Sequence, residues 1–426
     1  MINLIEELRW RGMLQDIIPG TEELLQKEIV TGYIGFDPTA DSLHIGSLVQ
    51  ILLLKRLQLA GHKPIALVGG ATGMIGDPSG KAEERSLLSE EVLQKNVSAI
   101  QKQLEHFLDF SVGKNQAEIV NNYDWYKDFS LLDFLRKVGK HLTVNYMMSK
   151  DSVSRRLETG ISFTEFSYQL IQGYDFYHLN QEYNCKLQMG GSDQWGNITA
   201  GTELIRRLNG GDAYAFTIPL VTKADGTKFG KTEAGTNIWL DINRTSAYQF
   251  YQFWMNVGDI EAEKYIRLFT FRSQEEIETL IDEHRLDPGK RLLQMKLAED
   301  ITVMVHNQEA LESARLATDF LFGKTGFENR SLLQPWFEEV CRIVPGKSIT
   351  SEYLGKGMEL SKLLTETGVL PSKSELRRLI QGGGLKVNYK KVDDSEHIIA
   401  ENDFLENRFL IIQKGKKNYF VIRIEN

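Results

Sequence analysis

Two short stretches carry residues suited to binding and transferring phosphate. The first is Asp37-Pro38-Thr39-Ala40-Asp41-Ser42-Leu43-His44-Ile45-Gly46-Ser47. It lies between a β-rich run at residues 29–36 and a helical pattern at 44–60. Ligands of parallel α/β sheets sit at that junction. A helix N-terminus there offers unpaired N–H groups and the positive end of a dipole to a phosphate. His44 can donate to a phosphate oxygen, and Gly46 leaves room for a flat base against the backbone. A helix cap alone would also explain Ser42 and His44, but not the whole run in this setting. The second stretch is Lys228-Phe229-Gly230-Lys231-Thr232, preceded by Asp225-Gly226. Its glycines make it pliable, and an ammonium there can neutralise charge on a phosphate group. A solvated surface turn has the same composition, so the five residues alone do not decide.

Three further clusters could form the walls of a site. Gly69-Gly70-Ala71-Thr72-Gly73-Met74-Ile75-Gly76-Asp77-Pro78-Ser79-Gly80-Lys81 follows a strand-like run. It is not a P-loop, because Ile75 stands where the first glycine belongs and Ala82 follows Lys81. Tyr168, Gln172 and Asp175 are spaced i, i+4, i+7, which puts three polar groups on one helical face beside Leu170, Ile171 and Phe176. A solvated face fits that spacing equally well. Leu187-Gln188-Met189-Gly190-Gly191-Ser192-Asp193-Gln194-Trp195-Gly196-Asn197 reads as a strand ending in Gly-Gly, where a ligand can approach the backbone. Asp193 could there accept from ribose hydroxyls.

The elements that must hold these residues are a βαβ unit and its continuation. Helical spacing of Leu48, Ile51, Leu52, Lys55 and Leu59 ends at Gly61, and Pro64–Val68 reads as a buried strand. Strand, helix, strand at this spacing implies a parallel sheet with both faces covered. Residues 246–323 change to helices, predicted at 246–256, 262–269, 274–283, 290–306 and 308–322. Residues 324–353 are turn-rich. From about 354 a small α/β module follows, with helices at 360–367 and 372–381 and strands at 385–388, 409–413 and 419–424.

Composition sets the bounds. The chain has 426 residues, 42% of them hydrophobic and 25% charged, typical of a soluble protein of two to four domains. Apolar runs such as residues 51–54 and 65–68 fall far short of the roughly 20 residues a membrane span needs. The first eight residues read as an amphipathic helix, not an export signal, so the expected compartment is the cytoplasm. Two distant cysteines, Cys185 and Cys341, offer neither a disulfide framework nor a Cys-rich zinc site. The net charge of −8 argues against a general nucleic-acid coat. Residues 373–426, however, carry 11 basic and 8 acidic residues, a net +3 on an otherwise acidic body. A local site for a polyanion is expected there.

The run 37–47 resembles the HIGH signature of class I aminoacyl-tRNA synthetases, and Tyr33-Ile34-Gly35-Phe36-Asp37-Pro38-Thr39 resembles their tyrosine-specific, bacterial-type branch. The loop 228–232 is similar to the KMSKS signature, some 180 residues on, as that family requires. One position departs: Ser47 stands where the signature has a second histidine, so it can donate a hydrogen bond but carry no charge. The resemblance implies ATP-dependent activation of L-tyrosine to tyrosyl-adenylate and transfer to the 3′ end of tRNA. It implies catalytic roles for His44, Thr39, Lys228, Lys231 and Thr232. Tyrosine would be held by Tyr33, Asp77, Tyr168, Gln172, Asp175, Gln188 and Gln194, with Tyr33 and Asp175 at its phenol and Asp77, Tyr168 and Gln172 at its ammonium. ATP would meet Gly35, Asp37, His44, Gly46, Ser47, Gly191, Asp193 and Lys231.

The tail resembles the S4 RNA-binding domain through Ser374–Ile380 and Gly383–Asn388. That likeness implies RNA contacts for Arg377, Arg378, Lys386, Lys390 and Lys391, although a solvated face is similarly charged. The expected fold is α/β. A Rossmann-like catalytic domain (1–220, with an insert at about 120–190) precedes the signature loop and an α-helical anticodon-side domain (221–323). A linker (324–353) and an S4-like domain (354–426) complete the chain. Expected partners are L-tyrosine, ATP with Mg2+, tRNA(Tyr) and a second copy in a homodimer, with no membrane, no tightly bound cofactor and no protein metal cage. Two alternatives share part of the pattern: a tryptophan-activating relative and a non-catalytic RNA-binding paralogue.

Overall fold

The computed structural model describes residues 3–77, 79, 88–150, 153–154, 160–223, 226, 229–230, 236–322, 340–354, 357–415 and 418–425. The chain forms two compact units. One comprises Met1–Asp241 and Gly258–Leu293, the other Ile242–Val257 and Gln294–Asn426.

The first unit is built on five parallel strands: β1 (Thr31–Phe36), β2 (Lys63–Val68), β3 (Glu118–Asn121), β4 (Cys185–Gly191) and β5 (Tyr214–Ile218), in the order β3-β2-β1-β4-β5. Its helices, in chain order, start with α1 (Leu4–Trp10), α2 (Thr21–Lys27), α3 (Ile45–Leu59), α4 (Thr72–Ile75), α5 (Glu90–Phe107) and α6 (Tyr123–Tyr126). They continue with α7 (Leu131–Lys137), α8 (Val144–Met148), α9 (Phe163–Tyr183), α10 (Trp195–Asn209), α11 (Asp259–Phe269) and α12 (Gln274–Leu286). The βαβ unit is therefore where the sequence pattern puts it, with α3 bounded by His44 as N-cap and Ala60 as C-cap. Helix α3 is buried on most sides, from Leu48 through Leu57, as a helix covering the centre of a sheet must be. Helix α9 starts on a Ser162/Glu165 capping box and stops at Asn184 in the left-handed region.

Two buried arginines tie α11 to this body. Arg11 donates to the carbonyls of Arg267 (2.8 Å), Thr270 (3.2 Å) and Arg272 (2.6 Å) while pairing with Glu7 (2.6 Å). Arg56 of α3 donates to the carbonyls of Leu268 (3.3 Å) and Thr270 (2.6 Å). The last carbonyls of a helix lack intrahelical partners and carry its negative dipole end, so two guanidinium groups answer both needs. Burial, with the neighbouring Arg11 charge, pushes Arg56 down to about 9.

The second unit joins helices Ala247–Met255, Leu292–Val305 and Gln308–Leu321 to a small α/β part. The helix predicted at 290–306 is present as Leu292–Val305; its start is set by Arg291, which takes a left-handed φ of 53° after a 3-10 turn at Pro288–Lys290. The α/β part contains β6 (Gly346–Ile349), β7 (Met358–Glu359), β8 (Leu385–Val387), β9 (Lys390–Lys391), β10 (Ile398–Ile399), β11 (Phe409–Lys414) and β12 (Asn418–Ile424). The main sheet runs β6-β12-β11-β8-β9, and β7 pairs with β10. Helices Leu360–Glu366 and Lys373–Gln381 contribute Leu363, Leu364 and Leu376 to a core shared with Leu385, Leu410, Ile412 and Ile422. Residues 346–349, upstream of the boundary expected at 354, form its parallel edge strand. No helix among the described residues is long and apolar enough to cross a membrane.

Replacing Arg11 with alanine should strand the Arg267 and Arg272 carbonyls, leave Thr270 with Arg56 alone, and take from Glu7 its closest cation. The expected cost is about 3 kcal/mol, the scale for removing one partner of a buried ion pair. A urea titration followed by tryptophan fluorescence should show a lower midpoint, since Trp10 lies 4.2 Å from the Arg11 guanidinium. An unchanged midpoint would mean that the clamp contributes nothing to stability.

Candidate active site

Strand β1 runs parallel to β2 on one side and to β4 on the other, so the order in which strands are added reverses between β1 and β4. The crevice at the carboxyl ends of β1 and β4 is the binding position of such sheets. A cavity of about 350 Å³ opens there. Tyr33, Gly35, Asp37, Thr39, His44, Gly46, Ser47, Asp77, Tyr168, Gln172, Asp175, Gln188, Gly191, Asp193 and Gln194 all line it. Every described candidate of the catalytic domain thus meets in one place. Lys228, Lys231 and Thr232 lie outside the described residues.

One end of the cavity is built around Asp175, 1% exposed on α9. Asn122 Nδ2 donates to its Oδ2 (3.0 Å) and Trp125 Nε1 to its Oδ1 (2.9 Å). Burial pushes the carboxyl up to about 7 against the pull of those donors. Tyr33 lines the same cavity, with its ring centroid 5.4 Å from that of Phe176. Among the described residues, the Tyr33 hydroxyl, Gln172 Oε1 and Gln188 Oε1 are buried with no hydrogen-bonding partner. Buried polar atoms are nearly always paired in native proteins, so orphans facing a cavity point to a polar ligand.

The middle of the cavity has fixed hydrogen-bond polarity. Thr72 Oγ1 donates to Asp37 Oδ1 (2.7 Å) and the Tyr168 hydroxyl to Asp37 Oδ2 (2.9 Å). Tyr168, its proton spent on Asp37, offers the cavity only lone pairs. Asp77 accepts from Gln194 Nε2 (2.7 Å), from the Ser79 backbone N–H (3.0 Å) and from Asn197 Nδ2 (3.4 Å). Tyr168, Gln172 and Asp77 therefore present acceptors, the set an ammonium group needs.

At the other end, His44 caps α3. Its Nδ1 accepts from the Gly46 N–H (3.0 Å), so the ring proton of neutral His44 sits on Nε2, as a donor. A Cβ on Gly46 would lie 2.7 Å from His44 Cε1, so the glycine makes room for the histidine ring. The expectation of unpaired N–H groups at this helix start needs correction. Ile45 donates to the Ile238 carbonyl (3.0 Å), Gly46 to His44 Nδ1, and Ser47 to the His44 carbonyl (2.8 Å). The helix end contributes its dipole more than free donors. Asp193 follows β4 in a 3-10 turn, its carboxyl pushed up by burial and by Asp77. A Cβ at Gly191 would stand 2.6 Å from Asp193 Oδ1, which explains the second glycine of the pair.

Of the loop at 228–232, Phe229 and Gly230 are described. Phe229 packs on Tyr265 (4.9 Å) and Phe269 (5.4 Å) of α11, and the Gly230 carbonyl accepts from the Ile238 N–H (3.0 Å). In the second unit, Arg377, Arg378, Lys390 and Lys391 are exposed, and Lys386 is half-buried. Lys386 stands directly opposite Lys391 across β8 and β9.

Sequence reasoning missed Thr72, Asn122, Trp125 and Asn197. Thr72 lay within the glycine-rich cluster without an assigned role. Asn122 and Trp125 follow β3, and only the sheet order brings them to Asp175, 53 and 50 residues away.

Comparison with known proteins agrees with this geometry. Residues 26–323 match the family described as tRNA synthetases class I (W and Y), and residues 338–422 match the Tyrosine--tRNA ligase SYY-like C-terminal domain. The chain is similar to the tyrosine–tRNA ligase of Bacteroides thetaiotaomicron, 57% identical over 428 residues and covering 99% of each chain. It is similar to that of Flavobacterium johnsoniae, 56% identical over 432 residues and covering 100% of each. Among solved structures, a C-terminally truncated mitochondrial tyrosyl-tRNA synthetase of Aspergillus nidulans superposes with a TM-score of 0.68 at 28% identity, covering 75% of this chain and 94% of that one.

The Asp175 carboxyl generates a pH prediction. Its folded value of about 7 exceeds the unfolded value of about 3.9. The neutral form is thus favoured by folding, and its stabilising contribution is complete below about pH 4 and lost as pH rises through about 7. Asp175→Asn cannot ionise. Between about pH 5 and about pH 8 the variant should gain roughly 3 kcal/mol of stability relative to the parent, levelling off above about pH 7. Urea midpoints across that range check it, and parallel pH curves for the two proteins would contradict it.

Proposed function

The chain belongs to the class I tRNA synthetases of the tryptophan and tyrosine family, and from that premise we propose how its cavity performs the reaction. The activity is ATP-dependent activation of L-tyrosine followed by transfer of the tyrosyl group to tRNA. ATP enters as substrate, with magnesium on its phosphates. The amino-acid carboxylate attacks the α-phosphorus, the mixed anhydride forms and pyrophosphate leaves. A ribose hydroxyl at the tRNA end then attacks the tyrosyl carbonyl, and AMP leaves.

The observation that carries the assignment is the buried, unpartnered Tyr33 hydroxyl in the same cavity as Asp175. A phenol hydroxyl entering there donates to Asp175 and accepts from Tyr33. Asp175 can take this third donor, because each carboxylate oxygen accepts two hydrogen bonds. The acceptors of Tyr168, Gln172 and Asp77 receive the ammonium, with Gln188 and Gln194 completing the tyrosine wall. Gly35, Asp37, Gly46, Ser47, Gly191 and Asp193 meet the nucleotide, with Asp193 taking ribose hydroxyls. His44 Nε2 and Thr39 donate to the phosphates. Lys228, Lys231 and Thr232 supply charge and hydrogen bonds to the leaving pyrophosphate, where they help the transition state more than the ground state.

In the tail, Arg377, Arg378, Lys386, Lys390 and Lys391 contact tRNA phosphates. Like charges directly opposite across a strand pair are destabilising, so Lys386 facing Lys391 favours a bound polyanion. Cytoplasmic residence suits the two cysteines, both free and buried.

Pyrophosphate exchange into ATP tests the assignment. Tyrosine should support it, and phenylalanine and tryptophan should not. Lys386→Glu combined with Lys390→Glu should lower tRNA charging by tenfold or more, on the order of the cost of a few lost phosphate contacts, without changing exchange. Equal exchange with phenylalanine would refute the phenol site.

A homodimer is proposed on a different observation. Leu131, Leu132 and Leu135 on α7, Val144 and Met148 on α8, and Phe163 at the start of α9 are exposed, Leu132 at 79% and Phe163 at 76%. So many large apolar side chains left in water within one stretch favour a covered surface, and a second copy is the proposed cover. Leu132→Asp should shift the chain toward monomer in sedimentation velocity, and an unchanged sedimentation coefficient would contradict this interface.

A further inference from the structure

Thr72 sits between the two ends of the tyrosine site. Asn122 holds it there. The Asn122 side-chain oxygen accepts from the Ala71 N–H (2.7 Å), which fixes which way the amide faces. Its Nδ2 then donates to Asp175 Oδ2 (3.0 Å) and to Thr72 Oγ1 (3.1 Å). An Nδ2 group has two hydrogens, and both are now assigned. Thr72 Oγ1 accepts one, so its own single hydrogen goes to Asp37 Oδ1 at 2.7 Å. Asp37 Oδ2 takes the Tyr168 proton at 2.9 Å. The chain Asp175, Asn122, Thr72, Asp37, Tyr168 is therefore continuous, with every side-chain hydrogen in it assigned.

Thr72 and Asn122 are both buried. The Gly69 backbone lies against this chain. A Cβ there would stand 2.2 Å from Thr72 Oγ1 and 2.3 Å from Asp37 Oδ1, on the hydrogen bond itself.

We propose that Thr72 is a positioning residue for tyrosine activation: its hydroxyl ties the carboxylate that reads the phenol to the carboxylate that orients Tyr168 at the ammonium end. The proposal rests on the tyrosine reading of the cavity. Without the Thr72 hydroxyl, Asn122 loses an acceptor and Asp37 a donor. Asn122 then has the Ala71 contact alone to hold it on Asp175, and the carboxylate that orients Tyr168 has one fewer donor to fix it. One substitution should loosen recognition at both ends of the ligand. A hydroxyl that served only local packing would affect neither.

The test compares Thr72→Val, of nearly the same shape, with Thr72→Ser, which keeps the hydroxyl. Two selectivity ratios are read. The phenol end is reported by kcat/KM in pyrophosphate exchange for tyrosine over phenylalanine. The ammonium end is reported by the binding of tyrosine over 3-(4-hydroxyphenyl)propionate, which lacks the amine. The parent chain's own preference for tyrosine, measured first, tests the substrate reading separately. In Thr72→Val both ratios should fall, each by roughly tenfold, the scale of a buried hydrogen-bonding group left unpaired. Thr72→Ser should restore both to within about twofold of the parent, on the scale of a retained hydrogen bond. Gly69→Ala keeps Thr72 but drives a methyl into its bond with Asp37, and should lower both ratios as Thr72→Val does. Retention of either ratio in Thr72→Val or in Gly69→Ala would overturn the relay, as would a serine variant that behaves like the valine one.

Discussion

Strand β1 is hydrogen-bonded in parallel to a neighbour on each side, and the position of every site residue in the first unit depends on that pairing. The connection through α3 leads to β2 on one flank, and the later β4 returns on the other. Register then places Tyr33 beside Ile65 on one side and Gln188 on the other. Residues beyond the carboxyl ends of β1 and β4, Asp37 and Asp193 among them, come to line one crevice. The central position leaves little space: a Cβ at Gly32 would meet Leu57 and Leu187 side chains at 3.0 and 3.1 Å. Helix α3 can cover this strand closely only because Gly32 has no side chain, and α3 in turn carries His44 at its start and Arg56 near its end.

Within the crevice, recognition depends on protein donors already committed before any ligand arrives. Asn122, Trp125, Thr72, Gln194 and Asn197 donate to carboxylates, and their geometry decides which lone pairs remain. A ligand hydroxyl or ammonium then meets acceptors that need no reorientation. Such preorganisation lowers the entropic cost of binding. It also makes rejection steep. On the proposed phenol site, phenylalanine leaves Asp175 and Tyr33 without their partner, and the cost of an unpaired buried polar group exceeds the net gain from a paired one. Tyrosine-activating enzymes are themselves the standard example of steep discrimination by a hydroxyl-reading site. The present geometry supplies the direction of that effect and its cause.

Much of this was legible in the sequence, and the illegible part has a common cause. The βαβ unit showed through the 3.6-residue period of α3 and the glycine stop after it. The face formed by Tyr168, Gln172 and Asp175 showed through helical spacing. Both are local patterns. Asn122 and Trp125 belong to no local pattern; they reach Asp175 because β3 occupies the sheet edge beyond β2. Thr72 acquires its place only when Asn122 and Asp37 flank it. Gly46 was visible as a glycine near a histidine, but the reason for it is the ring that His44 folds over the helix start. The exact start of the helix after Arg291 was missed because a left-handed residue other than glycine leaves little trace in composition.

Charge separates the two substrates. Asp37, Asp77, Asp175 and Asp193 line the cavity, and no lysine or arginine does so among its described lining residues. Such a wall suits an ammonium and repels a triphosphate. Neutral His44 and the dipole of α3 offset only part of that repulsion, since the first N–H groups of the helix already have partners. The remaining compensation is proposed to come from a metal ion accompanying ATP and from cations outside this wall. On the roles proposed for Lys228 and Lys231, those cations flank Phe229 and Gly230, which are anchored on α11 and on Ile238. On that proposal the amino acid meets a preformed site, whereas the phosphates depend on charge carried by Lys228 and Lys231. Charge applied as the phosphate bond breaks lowers the barrier, whereas equal binding of ground and transition states would not. On this proposal the acidic wall and the two lysines serve one end: affinity for the amino acid resides in the sheet, and acceleration of its activation resides in Lys228 and Lys231.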